Sequence, residues 1–153
     1  AGSRMEVRDI CAVLDEVFGR AQELVQHTGI SLHFTNLPGT IYCLTDADKL
    51  ERAVYNIISN ALKFTPKGGT IAVVLKAEEN FVTVTVRDTG CGMKPETGMH
   101  IFEKFYQGDT SHGTQGNGLG LPLVKRVMDI LRGEISVESV CGEGSTFTVT
   151  FKR

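Results

Sequence analysis

Apolar residues fall at Val7, Ile10, Val13, Leu14, Val17, Phe18, Ala21, Leu24 and Val25. Steps of three and four place them on one stripe and predict an amphipathic helix over residues 7–28, with Gly29 as its stop. Ile30, Leu32 and Phe34 then alternate with polar neighbours, the signature of a strand. Leu37, Pro38 and Gly39 form a turn, and residues 41–44 a short second strand. Asp46 is placed to cap a second helix, whose buried stripe is Leu50, Ala53, Val54, Ile57, Ile58, Ala61 and Leu62. Residues 66–69 end that helix. Residues 70–76 and 81–87 are β-rich and joined by a polar link at 77–80, which predicts a hairpin. Residues 119–131 are helical again, with Gly133 at the C-cap. Residues 134–140 and 145–151 close the chain as another hairpin.

The order is helix, two strands, helix, two strands, a long segment, helix, two strands. Paired strands imply a mixed sheet. The economical packing is a two-layer α/β sandwich, with about five or six strands and three main helices on one face. The long segment from Thr89 to Asn117 is rich in Gly, Thr, Ser and His, with one apolar island at residues 101–106. A connection of that length inside a compact domain signals function or disorder.

The chain has 153 residues, one domain by length, and 41% of them are hydrophobic, enough for a core of its own. Net charge is −2. No basic field is available for counterion release, so a nucleic-acid partner is not expected. No apolar run is long enough to span a bilayer, so no membrane contact by this domain is expected. Cys11, Cys43, Cys91 and Cys141 are too far apart in sequence for a zinc-ligand pair and read as reduced thiols. Residues 1–4 read as a cloning remnant, and residues 5–153 as the domain itself.

Four features carry chemistry. Asn56, Asn60 and Lys63 lie at i, i+4 and i+7 on one face of the second helix. An amide oxygen suits Mg²⁺ without repelling phosphate, and a lysine one turn on can reach phosphate oxygens. Two solvated asparagines and a surface lysine would show the same spacing. Asp88, Gly90 and Gly92 end a strand, where a carboxylate can accept from an exocyclic amine and glycines admit a flat ligand. A plain turn reads the same way. Gly116, Gly118 and Gly120 lead directly into a helix whose unpaired N–H groups and dipole favour phosphate; a glycine-rich hinge is the alternative. The spacing is like a dinucleotide fingerprint, but no strand–turn–helix unit starts the chain. The island at 101–106 offers aromatic residues to anchor a segment over a ligand, or a short helix packed on the core.

In this order the four features resemble the catalytic ATP-binding domain of sensor histidine kinases, in the group that also holds type II topoisomerases, heat-shock protein 90 and MutL. Residues 56–64 resemble its N box, 88–92 the G1 box, 102–105 the F box and 116–121 the G2 box. The stretch at 44–50 also resembles what precedes the N box. The resemblance extends from about Val7 to Lys152 and implies a Bergerat-type sandwich that binds ATP and Mg²⁺. It implies that Asn60 ligates Mg²⁺, that Asn56 supports the metal or the phosphates, and that Lys63 contacts phosphate. Phe64 would line the nucleotide, and Asp88 would hold the adenine amino group with Gly90, Gly92 and Met93 beside the base. Residues 93–117 would form a lid, mobile when empty and ordered with nucleotide. From the lid and its helix, Lys104, Phe105, Gly116, Gly118, Leu119, Gly120 and Leu121 would join the site. Gln107 stands where many relatives carry an arginine. The implied reaction is γ-phosphoryl transfer to a histidine on a dimerisation domain, then to a response regulator. His27, His33, His100 and His112 do not sit in a phosphoacceptor motif, so little autophosphorylation and a monomer are expected. The implied setting is a cytoplasmic domain of a parent that the family often anchors in a membrane.

The same group offers other readings. Its ATP-gated clamps place a glutamate four residues before the metal-binding Asn, where this chain has Asn56. Its anti-sigma serine kinases fit the F box and the sequence Lys63, Phe64, Thr65, Pro66 less well. A degenerate nucleotide-holding module and a plain interaction domain complete the alternatives.

Overall fold

The computed structural model describes residues 4–94, 101 and 120–153. Its elements run β1 (Glu6–Asp9), α1 (Ile10–Val25), β2 (Ser31–Asn36), β3 (Tyr42–Thr45), α2 (Ala47–Phe64), β4 (Thr70–Ala77), β5 (Phe81–Asp88), α3 (Gly120–Ile130), β6 (Glu134–Val140) and β7 (Gly144–Lys152). The main sheet is mixed and five-stranded, in the order β2-β4-β5-β7-β6. Among the described strands only the β2–β4 pair is parallel. With three helices among the described residues, the sandwich expected from the sequence is the one observed.

The alternation along each strand decides which face is covered. Ile71, Val73 and Leu75 of β4, Val82, Val84 and Val86 of β5, and Phe147, Val149 and Phe151 of β7 are buried. Between them, threonines such as Thr83, Thr85, Thr148 and Thr150 are only half-buried, so the opposite face is polar. Helices supply the matching stripes: Ile10, Val13, Leu14, Val17 and Ala21 from α1, Leu50, Ala53, Val54, Ile57, Ile58 and Ala61 from α2, and Val124, Val127 and Met128 from α3. The central helix α2 packs against both α1 and α3. None of these helices is long and apolar enough to cross a membrane.

Two expectations are corrected. The first helix starts at Ile10, not Val7, because residues 6–9 pair antiparallel with β3, Val7 facing Leu44. Asp9 ends that strand and caps α1, its Oδ1 accepting from the backbone N–H groups of Cys11 and Ile41, both at 3.1 Å. The strand at 42–45 therefore leaves the main sheet and forms a separate two-stranded one with β1. The second correction concerns Gly133. The left-handed residue that ends α3 is Arg132 (φ 58°), while Gly133 is needed because a β-carbon there would press on Met128 and the Thr150 carbonyl.

Candidate functional site

Helix α2 is oriented by Asp46, whose carboxylate accepts from the Lys49 backbone N–H at its N-cap (3.2 Å). With its apolar stripe turned into the core, Asn56 and Asn60 come to the flank, half-buried, and Lys63 is exposed. Neither asparagine amide hydrogen-bonds to any described residue. Half-buried amides without partners are costly unless a ligand or water satisfies them. At the helix end, Thr65 Oγ1 donates to the Ala61 carbonyl (2.7 Å). The Phe64 carbonyl accepts from the Cys91 backbone N–H (3.2 Å). That bond ties the last turn of α2, with Lys63 and Phe64, to the segment following β5, and Asn60 and Asn56 follow one and two turns back along the helix.

Asp88 is the last residue of β5, between Ile71 of β4 and Ser145 of β7, and only 5% exposed. Its Oδ1 accepts from the backbone N–H groups of Gly90 (2.9 Å) and Ser145 (3.3 Å). Its Oδ2 accepts from no described residue. Burial pushes the carboxyl above its ordinary value, and the two backbone donors pull it partly back. The site thus holds one fixed carboxylate oxygen and one that no described residue claims.

The glycines answer to a different pressure from the one the sequence suggested. A β-carbon on Gly90 would overlap the Phe64 carbonyl, one on Gly92 (φ 68°) the Val140 carbonyl, and one on Gly144 (φ 134°) the Asp88 carbonyl. They let three backbones converge on this end of the sheet. Met93 continues the contact, its N–H donating to Ser139 Oγ (2.7 Å) while its side chain packs on the core. Sequence reasoning missed Ser139, Gly144 and Ser145, which come from the far hairpin. Its one signal was the glycine pair Gly142 and Gly144 ahead of a strand.

Gly120 opens α3 and Leu121 is buried in its first turn. The far end of α3 lies at Thr150, where β6 begins. The sequence-derived candidates Lys104, Phe105, Gly116, Gly118 and Leu119, the F box, most of the proposed lid, and Gln107, His100 and His112 lie outside the described residues.

Residues 45–153 match the family model described as histidine kinase-, DNA gyrase B- and HSP90-like ATPase. The chain is 35% identical over 147 residues to the sensor histidine kinase RppB of Synechocystis sp., covering 92% of this chain and 32% of that protein. Across the first such relatives the chain spans about a third of the length or less. Among solved structures it superposes on the mycobacterial sensor histidine kinase MprB with a TM-score of 0.84 at 26% identity, covering 96% of this chain and 97% of the other. It also superposes on full-length ShkA in complex with AMPPNP, with a TM-score of 0.83 at 28% identity, covering 99% of this chain and 31% of the other.

Proposed function

The chain belongs to the histidine kinase-, DNA gyrase B- and HSP90-like ATPase family, and from that premise we propose that it is the ATP-binding catalytic domain of a sensor histidine kinase. It would pass the γ-phosphoryl group of ATP to a histidine on the parent's dimerisation domain, and a response regulator would receive it next. The observation that carries the reading is a set of polar groups that no described residue claims, on the strand end at Asp88 and on the C-terminal half of α2. Among the described residues nothing claims Oδ2 of Asp88 beside its fixed Oδ1, or the amides of Asn56 and Asn60 on the flank of α2. The first is an acceptor for the adenine amino group; the second are neutral oxygens for a metal–phosphate cluster.

Each residue then has a task. Asp88 selects adenine, because an amino donor finds an acceptor there and a carbonyl would meet only negative charge. Asn56 and Asn60 present oxygens without adding charge near the phosphates, and Lys63, exposed at the helix end, adds a positive one. Phe64 and Met93 give the base an apolar wall. The glycine-rich stretch that leads into α3 would offer backbone N–H groups to the phosphates. Asn60 would hold Mg²⁺, which when bound neutralises phosphate charge and aligns the transferring group. Phosphoryl transfer asks little covalent chemistry of the protein, so positioning by these groups is the catalytic contribution.

The test is transfer in trans. Mixed with ATP, Mg²⁺ and a separately produced helical domain bearing the phosphoacceptor histidine, the chain is expected to label that histidine with acid-labile phosphate. Asn60→Ala should lower the rate by about 100-fold or more, the scale of losing one oriented ligand in a charged transition state. Binding of nucleotide with no labelling of matched acceptor domains would instead mark a nucleotide-holding module.

A further inference from the structure

Residues 91–93 run antiparallel beside residues 139–142, outside the main sheet register. Met93 N–H donates to Ser139 Oγ (2.7 Å), Gly92 packs on Val140, and the Gly142 N–H donates to the Cys91 carbonyl (2.6 Å). This places Cys91 and Cys141 on neighbouring positions of two touching backbones. The path between their α-carbons through that 2.6 Å contact adds about 2.4 Å at each end and caps the separation at about 7.4 Å, at the outer edge of a disulfide's reach. Both thiols are free; Cys141 is exposed and Cys91 half-buried.

We propose that Cys91 and Cys141 form a dithiol modification site that closes to a disulfide under hydrogen peroxide. The exposed Cys141 sulfur takes one peroxide oxygen as the O–O bond breaks, giving a sulfenic acid and water. The Cys91 sulfur then attacks the Cys141 sulfur. The S–S bond forms, the S–O bond breaks, and the departing hydroxide leaves with the Cys91 proton as a second water. Two thiols lose two electrons and one peroxide gains them. The order follows from the surroundings. Burial first, and then the nearby Asp88 charge, push the Cys91 thiol up, and Cys91 donates weakly to its neighbour's carbonyl (3.5 Å), so it waits as the resolving partner.

Closure would cross-link the turn after β5 to the β6–β7 hairpin. Every residue between 91 and 141 would then sit in one covalent loop, which restricts the unfolded chain. The core pair Cys11 and Cys43 offers an internal contrast, since each is 3% exposed or less and out of an oxidant's reach.

The experiment treats the folded chain with equimolar hydrogen peroxide, blocks remaining thiols by alkylation and maps peptides without reduction. Expected is a linked Cys91–Cys141 peptide lighter by two hydrogens, reopened by dithiothreitol, and a melting temperature raised by several degrees in the oxidised form. The link and the shift should vanish in Cys141→Ser, and independently in Cys91→Ser. Cys141 oxidised while Cys91 stays alkylatable, or a link joining other cysteines instead, would overturn the proposal. The readout needs no nucleotide, so it stands or falls apart from the kinase reading.

Discussion

Replacing Asp88 with asparagine is expected to weaken ADP and ATP binding about 5–150-fold, the effect of roughly 1–3 kcal/mol for a buried charged hydrogen bond, without lowering the stability of the nucleotide-free fold. Oδ1 is already claimed by the N–H groups of Gly90 and Ser145. An asparagine that satisfies both must point its NH₂ at the ligand, where the adenine amino group is also a donor. The same substitution removes a charge that is held 5% exposed and raised in pKa by burial. For a carboxyl raised on folding, the stability contribution is complete below the unfolded pKa and is lost as pH rises through the folded value. At neutral pH the ionised Asp88 therefore costs stability, and Asp88→Asn should melt at or above the unmodified temperature. Binding depends on the ionised form, so affinity should fall as pH drops through the raised pKa of Asp88. That step should be missing in Asp88→Asn. Calorimetric titration across pH with both proteins measures it; equal affinity in the two would remove Asp88 from the site.

Gly92→Ala is expected to destabilise the fold by about 2–4 kcal/mol, a fall in melting temperature of roughly 5–15 °C for a domain of this size. Two costs add. Alanine resists the left-handed backbone at φ 68°, and its β-carbon would overlap the Val140 carbonyl. The Val140 carbonyl belongs to a strand end and cannot retreat without disturbing the hairpin that supplies Ser139 and Ser145. Gly142 is the control: its φ is 86°, but a β-carbon there meets nothing within 4 Å. Gly142→Ala should cost only the backbone preference, about 1 kcal/mol. Similar melting temperatures for the two variants would show that the close approach at Gly92 contributes little.

The helices were legible because their apolar stripes keep a 3.6-residue period over long stretches, as from Leu50 to Ala61. The main sheet was legible from two-residue alternation such as Val82, Val84 and Val86. Strand β1 was not, since Val7 happens to fall in phase with the helix after it and its partner Leu44 is distant in sequence. Nothing local distinguishes such a residue from the first turn of a helix. At the site, residue types were readable where chemistry restricts them: a carboxylate at 88, amides at 56 and 60. The reason for the glycines was not. Their neighbours are the end of α2 and a hairpin some 50 residues later, a convergence only the folded topology creates.

The central claim is that this end of the fold is a nucleotide site. It is tested most directly by calorimetric titration of the unmodified chain with ADP, in Mg²⁺ and again in excess EDTA. The account predicts one-to-one binding that is tighter in Mg²⁺. No binding in either buffer, by a sample that still melts cooperatively, would contradict it.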